Sequence, residues 1–233
     1  MKTIYDSDQD TILCLGLDIE TMDVRKTAKV ISIGAVLYEL PLKYDPKWEY
    51  REENSFYVNI DPTSYPASFT TGKDTMEWWF TQPEAFSQLA PDRKSAKEAF
   101  DAFYHFYYNG DIEGRSPKLV VAKPSHFDVS IVEHAFDAVN DSTHRTWVPW
   151  RHWEVFCLRS LFTQLGFDQK KIPFEGTVHN ALDDARWQAR THTAAHLEFL
   201  QMKKHSDDVN DAMNAIPEEK IEEPEFPLKG IPF

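Results

Sequence analysis

The chain has 233 residues, 42% of them hydrophobic and 14% aromatic, enough to bury the core of one large domain. A net charge of −13 excludes a broad basic face for gripping duplex nucleic acid, while leaving room for a local site or a carboxylate-rich metal centre. No apolar run is long enough to cross a bilayer, and the opening MKTIYDSDQD has no apolar signal core, so the expected setting is cytoplasmic with no membrane partner. Cys14 and Cys157 are isolated from each other and make neither a disulfide framework nor a structural zinc site, which suits a reducing compartment.

In chain order, residues 12–17 are rich in β-formers and read as a strand, 30–40 (VISIGAVLYEL) as a second, and 55–60 (SFYVNI) as a third with alternating apolar positions. The charged stretch between the last two reads as a long hairpin loop. Residues 73–80 read as a helix, with Asp74 and Glu77 spaced as a capping box. Residues 95–108 form a helix with a broad aromatic face, and NGDIEGRSP after it is punctuated as a loop. A short strand at 119–122 precedes a helix at 127–139, with Phe127, Ile131, Ala135 and Val139 on one side. Residues 158–165 form a short helix. A long helix spans 178–200, where Ala181, Ala185 and Ala189 share a face that admits a close neighbour. Three strands followed by strand–helix units give an α/β domain with a mixed sheet over residues 1–202. Residues 203–233 shift to acids and prolines, a composition that forms cores poorly, so this tail is expected to be disordered or to lie across the domain as an arm, with Phe226 and Phe233 as its apolar anchors.

The tripeptide Asp-Ile-Glu occurs twice. The copy at 111–113 lies between Gly110 and Gly114 and reads as solvated loop. The copy at 18–20 ends a buried strand, where residues two apart project from the same face. Asp18 and Glu20 would therefore stand together and repel unless a cation lay between them, and oxygen ligands on a rigid strand suit Mg²⁺ or Mn²⁺. Such a pair also marks where any strand leaves its core, so further acids must come from elsewhere. Asp128 falls in the first turn of the helix after strand 119–122, where Ser125 and Asp128 also fit a capping pattern. Last comes H-x-A-x-x-D, His179 to Asp184. On one continuous helix these two sit roughly 140° apart, but a helix starting at or after His179 lets both approach one centre.

Taken in order, Asp18 and Glu20 on a strand, Asp128 after a later strand, and His179 with Asp184 at a late helix resemble the DEDDh branch of the DnaQ-like 3′–5′ exonucleases. DTMEWWFTQPEA (74–85), FDVSIVEHAF and HNALDDARWQA look most like the T-even phage exonuclease A group and the related exoribonuclease RNase AS, over roughly residues 12–200. The resemblance implies a ribonuclease H-like mixed sheet flanked by helices. It implies two divalent ions, Mg²⁺ or Mn²⁺, held by Asp18, Glu20, Asp128 and Asp184, with His179 as general base and activity that rises from mildly acidic to alkaline pH. Substrate contacts fall to Thr21 through its backbone N–H, to Trp79 stacking on the terminal base, and to His126. Trp78 reads as a core residue of its helix. Arg151 and His152 in PWRHW read either as phosphate contacts or as plain surface loop. Two departures stand out: Cys157 occupies a place where many of these enzymes carry an Asp, and His126 stands where a small or amide residue is usual. The implied partner is a single-stranded 3′ end, DNA favoured by the phage-type resemblance, with RNA trimming as the alternative. A non-catalytic binding module is a more remote reading, and a homodimer stays open.

Overall fold

The computed structural model describes residues 10–111, 113–139 and 148–214, with side chains to 211. Five strands form one sheet in the order β3-β2-β1-β4-β5: β1 (Thr11–Thr21), β2 (Val30–Pro41), β3 (Glu52–Asn59), β4 (Leu119–Ala122) and β5 (Val155–Cys157). The first three run antiparallel; β4 pairs parallel to β1, and β5 parallel to β4. The six α-helices among the described residues are α1 (Lys73–Trp79), α2 (Pro83–Gln88), α3 (Ala96–Asn109), α4 (Ser125–Val139), α5 (Leu158–Leu165) and α6 (Ala181–Asn214). Strand β5 and helix α2 are too short to leave a periodic signal in the sequence.

Every residue of β2 is buried, because helices cover both faces of the sheet. The period of two separates its side chains. Ile33, Ala35 and Leu37 join Leu13, Leu15, Leu17 and Ile19 of β1 under α3 and α4. Val36, Tyr38 and Leu40 join Ile12 and Cys14 under α5 and α6. The aromatic face of α3 supplies Phe100 and Phe103, which meet Phe136 of α4 at 4.9 and 6.0 Å between ring centroids. Each such fully buried ring contributes about 1.5–3 kcal/mol. Ser95 caps α3 in a complete capping box with Glu98.

Helix α6 lies directly on the sheet. Ala181, Ala185 and Ala189 are fully buried, and a Cβ placed on Gly34 of β2 would collide with the backbone of Ala181 and Leu182. The small-residue face read in the sequence is thus what lets helix and strand approach. Past the sheet, α6 runs beyond the expected boundary at 202 to Asn214, since no proline interrupts it before Pro217. The remainder of the tail, with Phe226 and Phe233, lies outside the described residues.

Two local expectations are corrected. Helix α1 is preceded by Gly72 with no side-chain cap, so Asp74 stands in its first turn rather than capping it. The second Asp-Ile-Glu is not a solvated loop at its first residue. Asp111 is 4% exposed, and its carboxylate accepts from the backbone of Glu113 and Arg115 and from the Arg115 guanidinium, at 2.8–3.2 Å. The same guanidinium reaches Glu39 of β2 at 2.5 Å, so this loop is pinned to the sheet by a buried charge network.

Candidate active site

Asp18 and Glu20 lie on the α6 side of β1, in step with Cys14 and Gly16, while Ile19 packs into the opposite core. A register shift between Glu20 and Thr21 ends the regular pairing there. Asp128 enters from the first turn of α4 and is 4% exposed. Asp184 enters from the first turn of α6. His179 does not belong to that helix: it precedes Ala181 with φ of +65°, a left-handed conformation uncommon for a side-chain-bearing residue and one that tight functional turns retain. Its amide donates to Asp184 Oδ2 at 2.8 Å, and Asn180 caps the helix by accepting from Leu182 and Asp183. The turn thereby brings His179 and Asp184 together although their spacing sets them apart on a continuous helix. Ligand atoms of Glu20, His179 and Asp184 all lie within 4.8 Å of one another.

Electrostatics join the remaining acids to this group. Burial holds the Asp18 carboxyl well above the ordinary range, and Asp128, Glu20 and Asp184 add repulsion, against one hydrogen bond from Gln188. Burial likewise raises Glu20, with Asp184 and Asp128 adding to it. Burial pushes Asp128 up to about 7, although backbone amides of Asp128 and Ile19 and the charge of Arg159 pull it down. Asp184 is raised by burial too, opposed by the His179 amide, His179 and Lys123. Oδ2 of Asp128 is buried with no hydrogen-bond partner, as is Oε1 of Gln188. Two buried acids, Glu20 and Asp128, and two half-buried ones, Asp18 and Asp184, with an orphaned oxygen among them, form a donor set that fits hard divalent cations.

Beside the acids lies a cavity of about 400 Å³, lined among others by Glu20, Thr21, Val24, Trp78 and Phe127. Both adjacent tryptophans line it, but they differ in exposure. Trp79 is fully buried, packed with Ile31, Ala85 and Leu89, and its indole N–H donates to the Thr21 carbonyl at 2.9 Å, so its ring is not open for stacking. Trp78 is 38% exposed and packs T-shaped with the His179 ring, at 4.8 Å between centroids and 83°. Helical rotation of about 100° per residue lets only one of two neighbours face the core, and the sequence does not say which. Thr21 is buried at the cavity wall, its hydroxyl donating to the Asp23 carbonyl. His126 is exposed on α4, and it is Phe127 rather than His126 that lines the cavity. Cys157 closes β5 immediately before α5. Arg151 is exposed and lies over the ring of Trp153 at 5.1 Å, as a surface loop does.

Sequence reasoning missed Gln188, whose Nε2 donates to Asp18 Oδ1 at 2.7 Å. Its signal is the i+4 spacing from Asp184, which sets both on one face of α6.

The mixed sheet and its strand order, flanked by helices, define the class as the ribonuclease H-like fold. Among solved structures, cell-death related nuclease 4 (CRN-4) superposes with a TM-score of 0.52 at 17% identity, over 79% of this chain and 63% of that one. The chain thus spans just under two thirds of the CRN-4 chain. The nuclease domain of 3′hExo, a DEDDh family member bound to rAMP, gives 0.48 at 14% identity over 81% and 92% of the two chains. S. pombe Pop2p, in a form with Mg²⁺ and Mn²⁺ bound, gives 0.46 at 12% over 78% and 81%. None of the curated proteins matches in sequence. The family model of the Rv2179c-like 3′-5′ exoribonuclease domain matches residues 14–196, and the chain belongs to that family.

Proposed function

We propose that this protein is a metal-dependent 3′–5′ exonuclease that removes nucleotides from single-stranded 3′ ends. The observation that carries the reading is the convergence of Asp18, Glu20, Asp128 and Asp184 in one buried cluster with an unpartnered oxygen, beside His179 on a strained turn. These four acids would hold divalent ions, Mg²⁺ or Mn²⁺, which when bound neutralise the phosphodiester and stabilise its leaving oxygen. His179 acts as general base, taking a proton at an imidazole nitrogen from the attacking water, so it must be neutral to work. The His179–Asp184 hydrogen bond runs through the backbone amide, which fixes the turn and leaves the ring to face the cluster. Gln188 holds one oxygen of Asp18 and thereby the direction of the other. The terminal nucleotide occupies the cavity beside Glu20, with Trp78 as the aromatic wall open to a base.

Membership in an exoribonuclease-named family favours RNA, whereas the phage-type sequence resemblance pointed to DNA. One experiment addresses both: matched 5′-labelled single-stranded RNA and DNA incubated with Mg²⁺ or Mn²⁺, with EDTA and Asp18→Ala as controls. The expected result is a ladder shortening from the 3′ end that both controls abolish, faster on RNA. No ladder on either strand, with Mn²⁺ leaving the thermal midpoint unmoved, would return the chain to a non-catalytic binding module.

A further inference from the structure

The acids at the carboxyl ends of the parallel strands have cationic neighbours. Continuing the β1–β4 register two places past Gly16 and Val121 sets Lys123 level with Asp18. Pairing of Ala122 with Cys157 sets the same Lys123 beside the start of α5, where Arg159 stands. Lys123 is half-buried, and its Nζ lies 4.3 Å from the ring centroid of Trp187, three residues beyond Asp184 on α6. Burial and Arg159 disfavour its charge, while Asp184 and Asp18 favour it. Arg159 is exposed and acts in turn on Asp128.

Neither cation is committed to an ion pair: among the described residues neither Lys123 nor Arg159 forms one with an acid. They repel each other, and Arg159 occupies the first turn of a helix, where the backbone dipole disfavours a positive charge. In a chain of net charge −13, two neighbouring cations without an ion-pair partner at the rim of an acid cluster suit an anion that comes between them. Neither lines the cavity beside Glu20 and Trp78, so the anion they meet is a different one from any held inside that cavity.

Resting on the exonuclease reading, we propose that Lys123 and Arg159 bind a backbone phosphate on the 5′ side of the scissile linkage, on the path by which the strand enters. The pair thereby holds the strand in register as nucleotides leave and penalises substrates too short to reach it.

The test uses the full chain and 5′-labelled single strands of the better-degraded nucleic acid. Kinetics are compared for the wild type, Lys123→Gln, Arg159→Gln and the conservative Lys123→Arg, with Mn²⁺ affinity measured by calorimetry. Each Gln variant is expected to raise KM roughly tenfold, about the worth of one charge-assisted hydrogen bond, with the effect on KM rather than kcat. The slope of log affinity on log salt should shrink by about 0.7 per cation removed. Lys123→Arg should recover most of the loss, and Mn²⁺ affinity should hold. A strand with one neutral methylphosphonate at the contacted linkage should cost the wild type the same factor and the variants little. Unchanged KM and salt slope in both Gln variants overturn the proposal. So does altered Mn²⁺ affinity with unaltered KM, which would mean that the cations serve the acids rather than the strand. A wild type that degrades neither strand overturns the exonuclease reading itself, and this inference with it.

Discussion

At the scale of residues, neighbours in sequence do different work. Trp79 fills the core and donates to Thr21, whereas Trp78 is partly exposed at the cavity and packs T-shaped with His179. Trp79→Ala is therefore expected to destabilise by about 3–5 kcal/mol, as large aromatic truncations in cores do. Trp78→Ala should leave the thermal midpoint nearly unmoved and raise KM by the equivalent of about 1–3 kcal/mol of lost stacking. Thermal melts and Michaelis kinetics of the two variants check this, and the reverse pattern would mean that the cavity does not receive a base. Gln188 gives the second prediction. Gln188→Leu keeps the volume and removes the hydrogen bond to Asp18, so Mn²⁺ affinity or activity should drop about 10–100-fold while the fold persists. Calorimetric titration with Mn²⁺ measures it.

At the scale of elements, the site is made where three ends meet: the end of β1, the first turn of α4 and the first turn of α6. Helix α6 carries Asp184 and Gln188 to β1 only because Gly34 and the alanine face allow backbone contact. Gly34→Ala is expected to push the helix off the sheet, lowering stability by about 1–3 kcal/mol and activity with it. The midpoint of urea unfolding reads the first effect. A variant as stable and as active as wild type would show that α6 has freedom to shift. Much of this arrangement was legible: the alanine stripe announced the close contact, and H-x-A-x-x-D announced the histidine and the acid that the turn brings together. The turn at His179 was not, because a positive φ at a histidine is set by what surrounds it, here the Asp184 carboxylate that holds its amide.

At the scale of the whole molecule, the cluster couples stability to pH and to metal. Asp128 titrates at about 7 when folded, against about 4 for an unfolded aspartate. Between those values the folded state holds a proton that the unfolded state has released, so stability falls as pH rises through the window. Asp18, Glu20 and Asp184 shift in the same direction and deepen the fall. Without divalent ions the thermal midpoint is therefore expected to drop from pH 5 to pH 8. Mn²⁺ binds the deprotonated acids, so it should raise the midpoint more at pH 8 than at pH 5. Melting curves at the two pH values, with and without Mn²⁺, decide it; a metal-free midpoint that rises with pH would contradict a cluster of mutually repelling acids. No helix among the described residues is long and apolar enough to cross a membrane.

The sequence alone indicated four of the five strands, the long helices, and the four acids and histidine as candidates, because periodicity and the spacing of acids are written along the chain. Only the tertiary structure decided which tryptophan is exposed beside the cavity, that Asp111 is buried by Arg115 rather than solvated, and that Gln188, Lys123 and Arg159 come near the acid cluster. The approach of Gln188, Lys123 and Arg159 to the acids joins residues far apart in sequence. Gln188 meets Asp18 across 170 positions, and no local pattern encodes a contact of that span. The strand ends and helix starts that bring them together are fixed by burial of two cores on opposite faces of one sheet, a property of the whole chain and not of any segment.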